Sequence, residues 1–176
     1  RYHSAVVSKD AIAGEVIAAI EHAKTQFNRN IKRLYTDGGS EFINQTLKDH
    51  CRRHGIELKY APARTPQLNG VAERSVRSCK DAIRTLLTAG RVPWRFWTYA
   101  ATHATFLWNR THICKRTGVT PYESLYGKPP SAKHWGVFGC NAWLHVPKEQ
   151  RSSLAPKAEP CIYLGHSSTQ NCACVY

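Results

Sequence analysis

The stretch Ile31-Lys-Arg-Leu-Tyr-Thr-Asp-Gly-Gly-Ser-Glu-Phe42 sets the fold class of this chain. Its first residues form a short run with apolar and aromatic side chains that predicts a β-strand, and the strand ends at Thr36-Asp37-Gly38-Gly39. Ser40 is a suitable cap for a following helix, which is closed by Gly55. Ile56 to Tyr60 then predicts the next strand, so this region alternates strand, helix and strand.

The segments on either side continue that alternation. Residues 2–7 suit a short strand. A helix with one apolar face is then predicted from residues that recur at steps of three or four, which are Ile12, Val16, Ala19, Ala23 and Phe27. After a proline-containing loop at 61–69, the strongest helical pattern runs from Gly70 to about Ala89, and another helix is predicted from Pro93 to Asn109. This order favours a three-layer α/β domain with helices against a mixed or parallel sheet.

The last third of the chain has a different amino-acid composition. Proline and glycine become frequent from Ile113, which predicts a linker over residues 113–136. Short alternating runs at Ala142–Val146 and Cys161–Leu164 predict strands of a small β element. The predicted organisation is therefore an α/β core at 1–112, a linker at 113–136 and a β element at 137–176.

The charge balance indicates the kind of partner. The 176 residues include 25 Lys and Arg against 12 Asp and Glu, which gives a formal net charge of +13. Such an excess on a folded domain favours a polyanion, nucleic acid before membrane, and no apolar run reaches the roughly 18 residues of a membrane span. Seven cysteines, an odd number spread widely, do not read as a disulfide framework and favour a reducing compartment.

Two acids stand out as candidates for metal binding. Asp37 follows an apolar strand, where ligand-binding groups of α/β sheets collect, and Glu73 is predicted in the first turn of the long helix. Carboxylates from two elements are able to hold a hard divalent cation such as Mg²⁺ for phosphodiester chemistry. The alternative is structural, since Asp-Gly-Gly often forms a turn and an early Glu complements the helix dipole.

Basic and polar residues flank these acids. The basic ones would suit nucleic-acid phosphates, and the polar ones are able to hydrogen-bond sugar, phosphate or base edges. A solvated helix face and ordinary loop residues remain the alternative. The candidate nucleic-acid-binding residues are Arg64, Thr65, Gln67, Asn69, Arg74, Arg77, Lys80 and Arg84.

A second candidate is a histidine pair. His50 and His54 have the i, i+4 spacing that is able to bind zinc on one helix face. The simpler interpretation is a basic helix with two surface imidazoles.

The motifs Tyr35-Thr-Asp-Gly-Gly-Ser-Glu-Phe42 and Thr65-Pro-Gln-Leu-Asn-Gly-Val-Ala-Glu-Arg74 resemble the integrase core of copia-type LTR retrotransposon polyproteins. The 35 residues between Asp37 and Glu73 match the spacing of the second and third acids in the retroviral-type integrase signature. Further motifs resemble the stretch after that core and the SH3-like module behind it: Asn109-Arg-Thr111, Thr120-Pro-Tyr-Glu123, Tyr126-Gly-Lys-Pro-Pro130, Val137-Phe-Gly-Cys140, Val146-Pro-Lys-Glu-Gln-Arg151 and Cys161-Ile-Tyr-Leu-Gly165.

The resemblance implies a ribonuclease H-like α/β fold, here incomplete because its first strand is missing, followed by a small SH3-like β element. It implies that Asp37 and Glu73 are catalytic and ligate Mg²⁺ or Mn²⁺ in an enzyme that trims the ends of element DNA and joins them to target DNA. The family's first acid is expected just before Arg1, so we expect an N-terminally truncated chain that is inactive alone.

The resemblance also implies partners and location. These are element and target DNA and further copies of the chain, with no membrane and no small-molecule substrate, in the nucleus after a cytoplasmic virus-like particle stage. Three other interpretations stay open. They are a nucleic-acid-binding module without catalysis, a ribonuclease H-like nuclease that cleaves without joining, and a degraded relic of an element.

Overall fold

The computed structural model describes residues 11–36, 39, 42, 44–60, 66–167 and 172–176, without the side chains of 66–69 and 71. The contacts divide the chain into two compact units, and the boundary between them in the sequence falls between Val76 and Arg77. In chain order the elements are α1 (Ile12–Phe27), β1 (Arg33–Thr36), α2 (Gln45–Arg53), β2 (Glu57–Tyr60), α3 (Pro66–Ala89), α4 (Trp97–Thr111), α5 (Pro121–Tyr126), β3 (Asn141–His145), β4 (Ala158–His166) and β5 (Ala173–Val175).

The first unit is built on a parallel strand pair. β1 and β2 pair in parallel with Arg33 opposite Glu57 and Thr36 opposite Tyr60. Parallel neighbours need a crossover connection, and α2 lies in that connection between the two strands. The predicted cap Ser40 lies outside the described residues. The helix begins instead after Asn44, whose side-chain oxygen accepts a hydrogen bond of 2.8 Å from the Thr46 amide.

Burial of one face of each helix holds the first unit together. Its core contains two residues of α1, two of α2 and the residue before β2, and partly buried side chains from β1 and β2 pack against them. Leu47 of α2 is fully buried. The predicted strand at residues 2–7 lies outside the described residues. The core residues are Ala13, Ile20, Leu47, Cys51 and Ile56.

The long helix α3 begins earlier than predicted. The sequence pattern placed a loop at 61–69 and the helix start at Gly70, whereas the helix begins at Pro66. Proline suits the first helical position because its fixed φ is already helical and its missing amide hydrogen has no partner to lose there. Glu73 therefore lies about two turns into the helix and not in its first turn.

The second unit places a small antiparallel sheet on a helical layer. The strands have the order β3-β4-β5, and the first two match the strands predicted at Ala142–Val146 and Cys161–Leu164. Their core is shared with α3, α4 and the chain between them, so the sheet and the helices form one hydrophobic interior. That core consists of Ile83, Leu87, Val92, Phe96, Ala100, Ala101, Phe138 and Leu164.

The stretch predicted as a linker contains the short helix α5. The Thr120 hydroxyl accepts a hydrogen bond of 3.1 Å from the Glu123 amide, and Gly127 ends the helix with a φ of 69°. The Arg110 guanidinium lies 4.8 Å from the Tyr122 ring centroid, which ties α5 to α4.

The predicted domain boundaries, 1–112, 113–136 and 137–176, stay a prediction. No described helix is long and apolar enough to cross a membrane.

His103 of α4 is a buried titratable group in the second unit. Only 2% of it is exposed, and its ring packs against Phe106 and Phe138 with centroids 6.0 and 5.6 Å away. Its Nδ1 has no hydrogen-bond partner among the described residues. Burial, and then the neighbouring His166, lowers the pKa of His103 from 6.5 to about 4, so the ring is neutral at pH 7.

We expect His103 to make the fold sensitive to acid. Its pKa is lower in the folded state than in the unfolded chain, so the unfolded state binds more protons between about pH 6.5 and 4. The free energy of unfolding therefore decreases as the pH is lowered through this range. The expected loss from pH 7 to pH 5 is about 2 kcal/mol, measured by urea unfolding. His103→Leu should remove this difference, and exposed His22→Ala should keep it. An equal loss in His103→Leu would contradict the prediction.

Candidate catalytic and nucleic-acid-binding site

The carboxyl ends of β1 and β2 define one edge of the parallel pair. Thr36 and Tyr60, their last residues, lie opposite each other. The Thr36 side chain is buried, and its hydroxyl oxygen has no hydrogen-bond partner among the described residues. Asp37 is the next residue in the chain and lies outside the described residues. The strand topology thus leads the chain into Asp37 from the edge where α/β sheets carry their ligand groups.

The second predicted acid lies on α3. After Tyr60 the chain has residues 61–65 before α3 begins, and Glu73 is exposed on that helix. Within the described parts of the chain, its carboxylate forms no ion pair. A free carboxylate oxygen is the donor type that Mg²⁺ and Mn²⁺ take, so the chemistry of Glu73 fits such an ion. The pairing of Glu73 with Asp37 stays a prediction.

The predicted basic residues of α3 share one helix face. Arg77, Lys80 and Arg84 recur at steps of three and four, and all are exposed. Arg84 donates to Asp81 across 3.0 Å, so part of its charge is neutralised. Arg74 is exposed as well, with its guanidinium turned back towards Gly70. Arg64 and Thr65 lie outside the described residues, as do the side chains of Gln67 and Asn69.

The structure adds one acid to the histidine pair. Glu21 of α1 lies beside His50 of α2 and His54, the residue that caps the end of α2, and the three side chains offer ligand atoms that all lie within 4.8 Å of one another. The i, i+4 histidine spacing was visible in the sequence. Glu21 belongs to another helix and carried no signal, because only the packing of α1 on α2 brings it there.

Two family models match the chain. Residues 2–89 match the TnsB C-terminal domain, and residues 140–176 match the retroviral polymerase SH3-like domain. The second match begins next to β3 and includes the whole antiparallel sheet of the second unit.

Curated relatives come from plant transposons. The chain is 37% identical over 142 residues to the retrovirus-related Pol polyprotein from transposon TNT 1-94 of Nicotiana tabacum, covering 81% of the chain and 11% of the relative. It is 34% identical over 148 residues to the corresponding polyprotein from transposon RE2 of Arabidopsis thaliana, covering 84% and 10%. The chain thus spans about a tenth of the length of these relatives.

Two solved retroviral structures match this chain. A simian T-cell lymphotropic virus intasome, in complex with PP2A regulatory subunit B56 gamma, matches with a TM-score of 0.52 at 17% identity, over 93% of this chain and 61% of that one. The HTLV-2 integrase catalytic core domain in complex with magnesium matches with a TM-score of 0.48 at 19% identity, over 65% and 70%.

These matches agree with the geometry of both units. The predicted class, a ribonuclease H-like α/β domain followed by an SH3-like β element, is confirmed. The chain belongs to the TnsB C-terminal domain family over residues 2–89, and its curated relatives are retrovirus-related Pol polyproteins from copia-type transposons.

Proposed function

We propose that this chain is part of an integrase that inserts element DNA into target DNA, with Asp37 and Glu73 as its metal-binding acids. The observation that supports this most is the parallel pairing of β1 with β2. The carboxyl end of one strand leads directly into Asp37, and the other leads through residues 61–65 into the helix that bears exposed Glu73. The two chain segments that lead to these acids therefore leave the strand pair at the same edge.

The proposed reaction is a transesterification. A 3′-hydroxyl of element DNA attacks a target phosphodiester in line, its oxygen forms the new P–O bond, and the old bond to the target 3′-oxygen breaks. The roles of Asp37 and Glu73 are to hold Mg²⁺ or Mn²⁺ beside the scissile phosphate. When bound, the cation would activate the attacking oxygen and stabilise the leaving one. Arg77 and Lys80 would neutralise neighbouring phosphates.

We also propose the partners that this reaction requires. Element ends and target DNA are the substrates, and several copies of the chain would have to hold two DNAs together. The proposed place of action is the nucleus, after a stage in cytoplasmic virus-like particles. The excess of 25 basic over 12 acidic residues supports the DNA partner.

A strand-transfer assay tests the function. Labelled duplex that ends in a pre-trimmed 3′-hydroxyl is incubated with target plasmid and Mg²⁺, with the chain alone and with the longer polyprotein segment that contains it. Joining in the longer segment is the expected result, and we expect the chain alone to be inactive. Cleavage without joining would favour a nuclease. Salt-sensitive binding without either reaction would favour a binding module or a relic.

The exposed face of α3 gives a prediction for DNA binding. We expect Arg77→Ala with Lys80→Ala to lower affinity about tenfold and to reduce the dependence of log K on log salt by about 2, since each lost phosphate contact removes about 0.9. Arg84→Ala should lose less, because Asp81 already pairs with Arg84 at 3.0 Å. Fluorescence anisotropy from 50 to 200 mM salt measures both. Exposed Lys133→Ala is the control, and an equal loss there would contradict a role specific to α3.

A further inference from the structure

The contact between α1 and α2 brings three ligand-type side chains together, and neither Asp37 nor Glu73 is one of them. Glu21 Oε1 lies 3.5 Å from His50 Nε2 and 3.7 Å from His54 Nε2. The two imidazole rings are 4.4 Å apart between centroids. His50 lies in the last turn of α2 and His54 caps its end, so the two residues are about one helical turn apart and both rings face Glu21 of α1.

His50 is the fixed member of this cluster. Its side chain is only 8% exposed, and its Nε2 finds no hydrogen-bond partner among the described residues. A buried polar nitrogen without a partner is costly, so this atom lacks something that would satisfy it. Burial, and then the neighbouring His54, lowers the pKa of His50.

The spacing of the ligand atoms fits a small metal ion. Bonds of about 2.0–2.1 Å in tetrahedral geometry put ligand atoms about 3.3 Å apart, close to the two observed distances from Glu21. Glu21 and His54 are 42% and 36% exposed, so small side-chain rotations are free to close the remaining gap. Both also line an open cavity of about 410 Å³, which gives an ion a path from solvent.

The charges around the cluster are mixed. Lys24 and Arg53 lie close enough to oppose a positive ion, and both contribute to the lowered pKa of His50. Glu21 supplies the compensating negative charge within the cluster. Two imidazoles and one carboxylate form a nitrogen and oxygen donor set that suits zinc better than magnesium.

We propose that Glu21, His50 and His54 bind Zn²⁺, with water as the fourth ligand, and that the ion ties α1 to α2. This site is separate from Asp37 and Glu73, and it does not depend on the proposed DNA-joining activity. The metal would satisfy the buried His50 nitrogen and stabilise the first unit by binding the folded chain only.

Thermal unfolding of the whole chain with added Zn²⁺ is the main test. At a hundredfold excess over its Kd, zinc should raise the melting temperature by roughly 5–10 °C. Glu21→Gln and His54→Ala, at partly exposed positions, should each abolish that shift without unfolding the chain. His22→Ala removes an exposed imidazole from the same helix α1 and should keep the full shift.

Cobalt identifies the ligands. Co²⁺ should show the visible absorption of a tetrahedral nitrogen and oxygen site, without the thiolate charge-transfer band that one of the seven free cysteines would produce. A thiolate band, or a shift that survives in both Glu21→Gln and His54→Ala, would overturn the proposal. A shift that is lost only in Asp37→Asn or Glu73→Gln would place the ion at the predicted acids and would also overturn it.

Discussion

Asp37→Asn and Glu73→Gln are each expected to reduce Mg²⁺-dependent DNA joining by about a thousandfold or more in the polyprotein segment that contains this chain. A thousandfold corresponds to about 4 kcal/mol of transition-state stabilisation, which is the scale expected when a metal ligand is lost. An amide keeps the shape of the carboxylate but lacks its charge. DNA affinity should stay within about twofold, because the proposed role of the acids is to hold the cation and the basic residues are proposed to bind the phosphates. Gel assays of joined product and anisotropy measure the two effects.

The exposed position of Glu73 makes this result interpretable. It lies on α3 without an ion pair among the described residues, so Glu73→Gln should not disturb folding. Asp81→Asn is the matched control because it changes an exposed acid on the same helix. It loses only the surface pair with Arg84, 3.0 Å long, which is worth at most about 1 kcal/mol. Joining should be unchanged in this variant.

Two results would contradict the proposed acids. Joining at the original rate in Glu73→Gln would remove this residue from the chemistry. An equally large loss in Asp81→Asn would mean that the negative charge of α3 matters in general and that no defined metal ligand is being removed.

The alternation of strands and helices could be predicted because short apolar runs carry it. The runs at 31–35 and 56–60 overlap β1 and β2, and the helix predicted between them is α2. The buried face of α1 was less well predicted. In α1 the buried residues are Ala13 and Ile20, whereas the predicted apolar face was centred one position away, because several neighbouring apolar residues blur the helical period.

Three prolines show that the local sequence does not determine where a helix begins. Pro66 and Pro121 are the first residues of helices, whereas Pro93 precedes a 3₁₀ turn at Trp94–Phe96 before α4 begins. The same ring geometry permits both outcomes, since it only fixes φ and removes a donor. The hydrogen bonds and burial of the next residues decide between these outcomes, and Phe96, for example, is buried in the core of the second unit.

Large aromatic residues were equally ambiguous. Trp97 and Trp108 lie on one side of α4 because they are eleven residues apart, and two large aromatic residues on one side of a helix are typical of packing in a core or an interface. Yet Trp97 is 43% exposed, and the buried face of the helix consists of small residues with His103. Small side chains let β4 approach closely, since a methyl group on Gly165 would lie 3.0 Å from His103 Nδ1. Such close packing depends on both partners and is not encoded in either segment alone.

Gly139→Ala is expected to destabilise the chain by about 3 kcal/mol or more, measured by urea unfolding. Gly139 has a φ of 82°, which costs an alanine about 1–2 kcal/mol. A methyl group there would also lie 2.6 Å from both the Cα and the carbonyl oxygen of Gly90, at the end of α3. Backbone atoms are not free to move aside as a flexible side chain would, so the overlap adds the penalty of overpacking.

Gly118→Ala separates the two causes. Gly118 has a similar φ of 72°, but a methyl group there would meet nothing within 4 Å, so only the backbone strain of about 1–2 kcal/mol should remain. The Gly139 amide donates to the Tyr163 carbonyl at 2.8 Å, and Phe138 beside it is buried in the shared core. A larger loss at Gly139 than at Gly118 therefore measures how tightly the β element is packed on α3, and equal losses would show that the two backbones are free to separate.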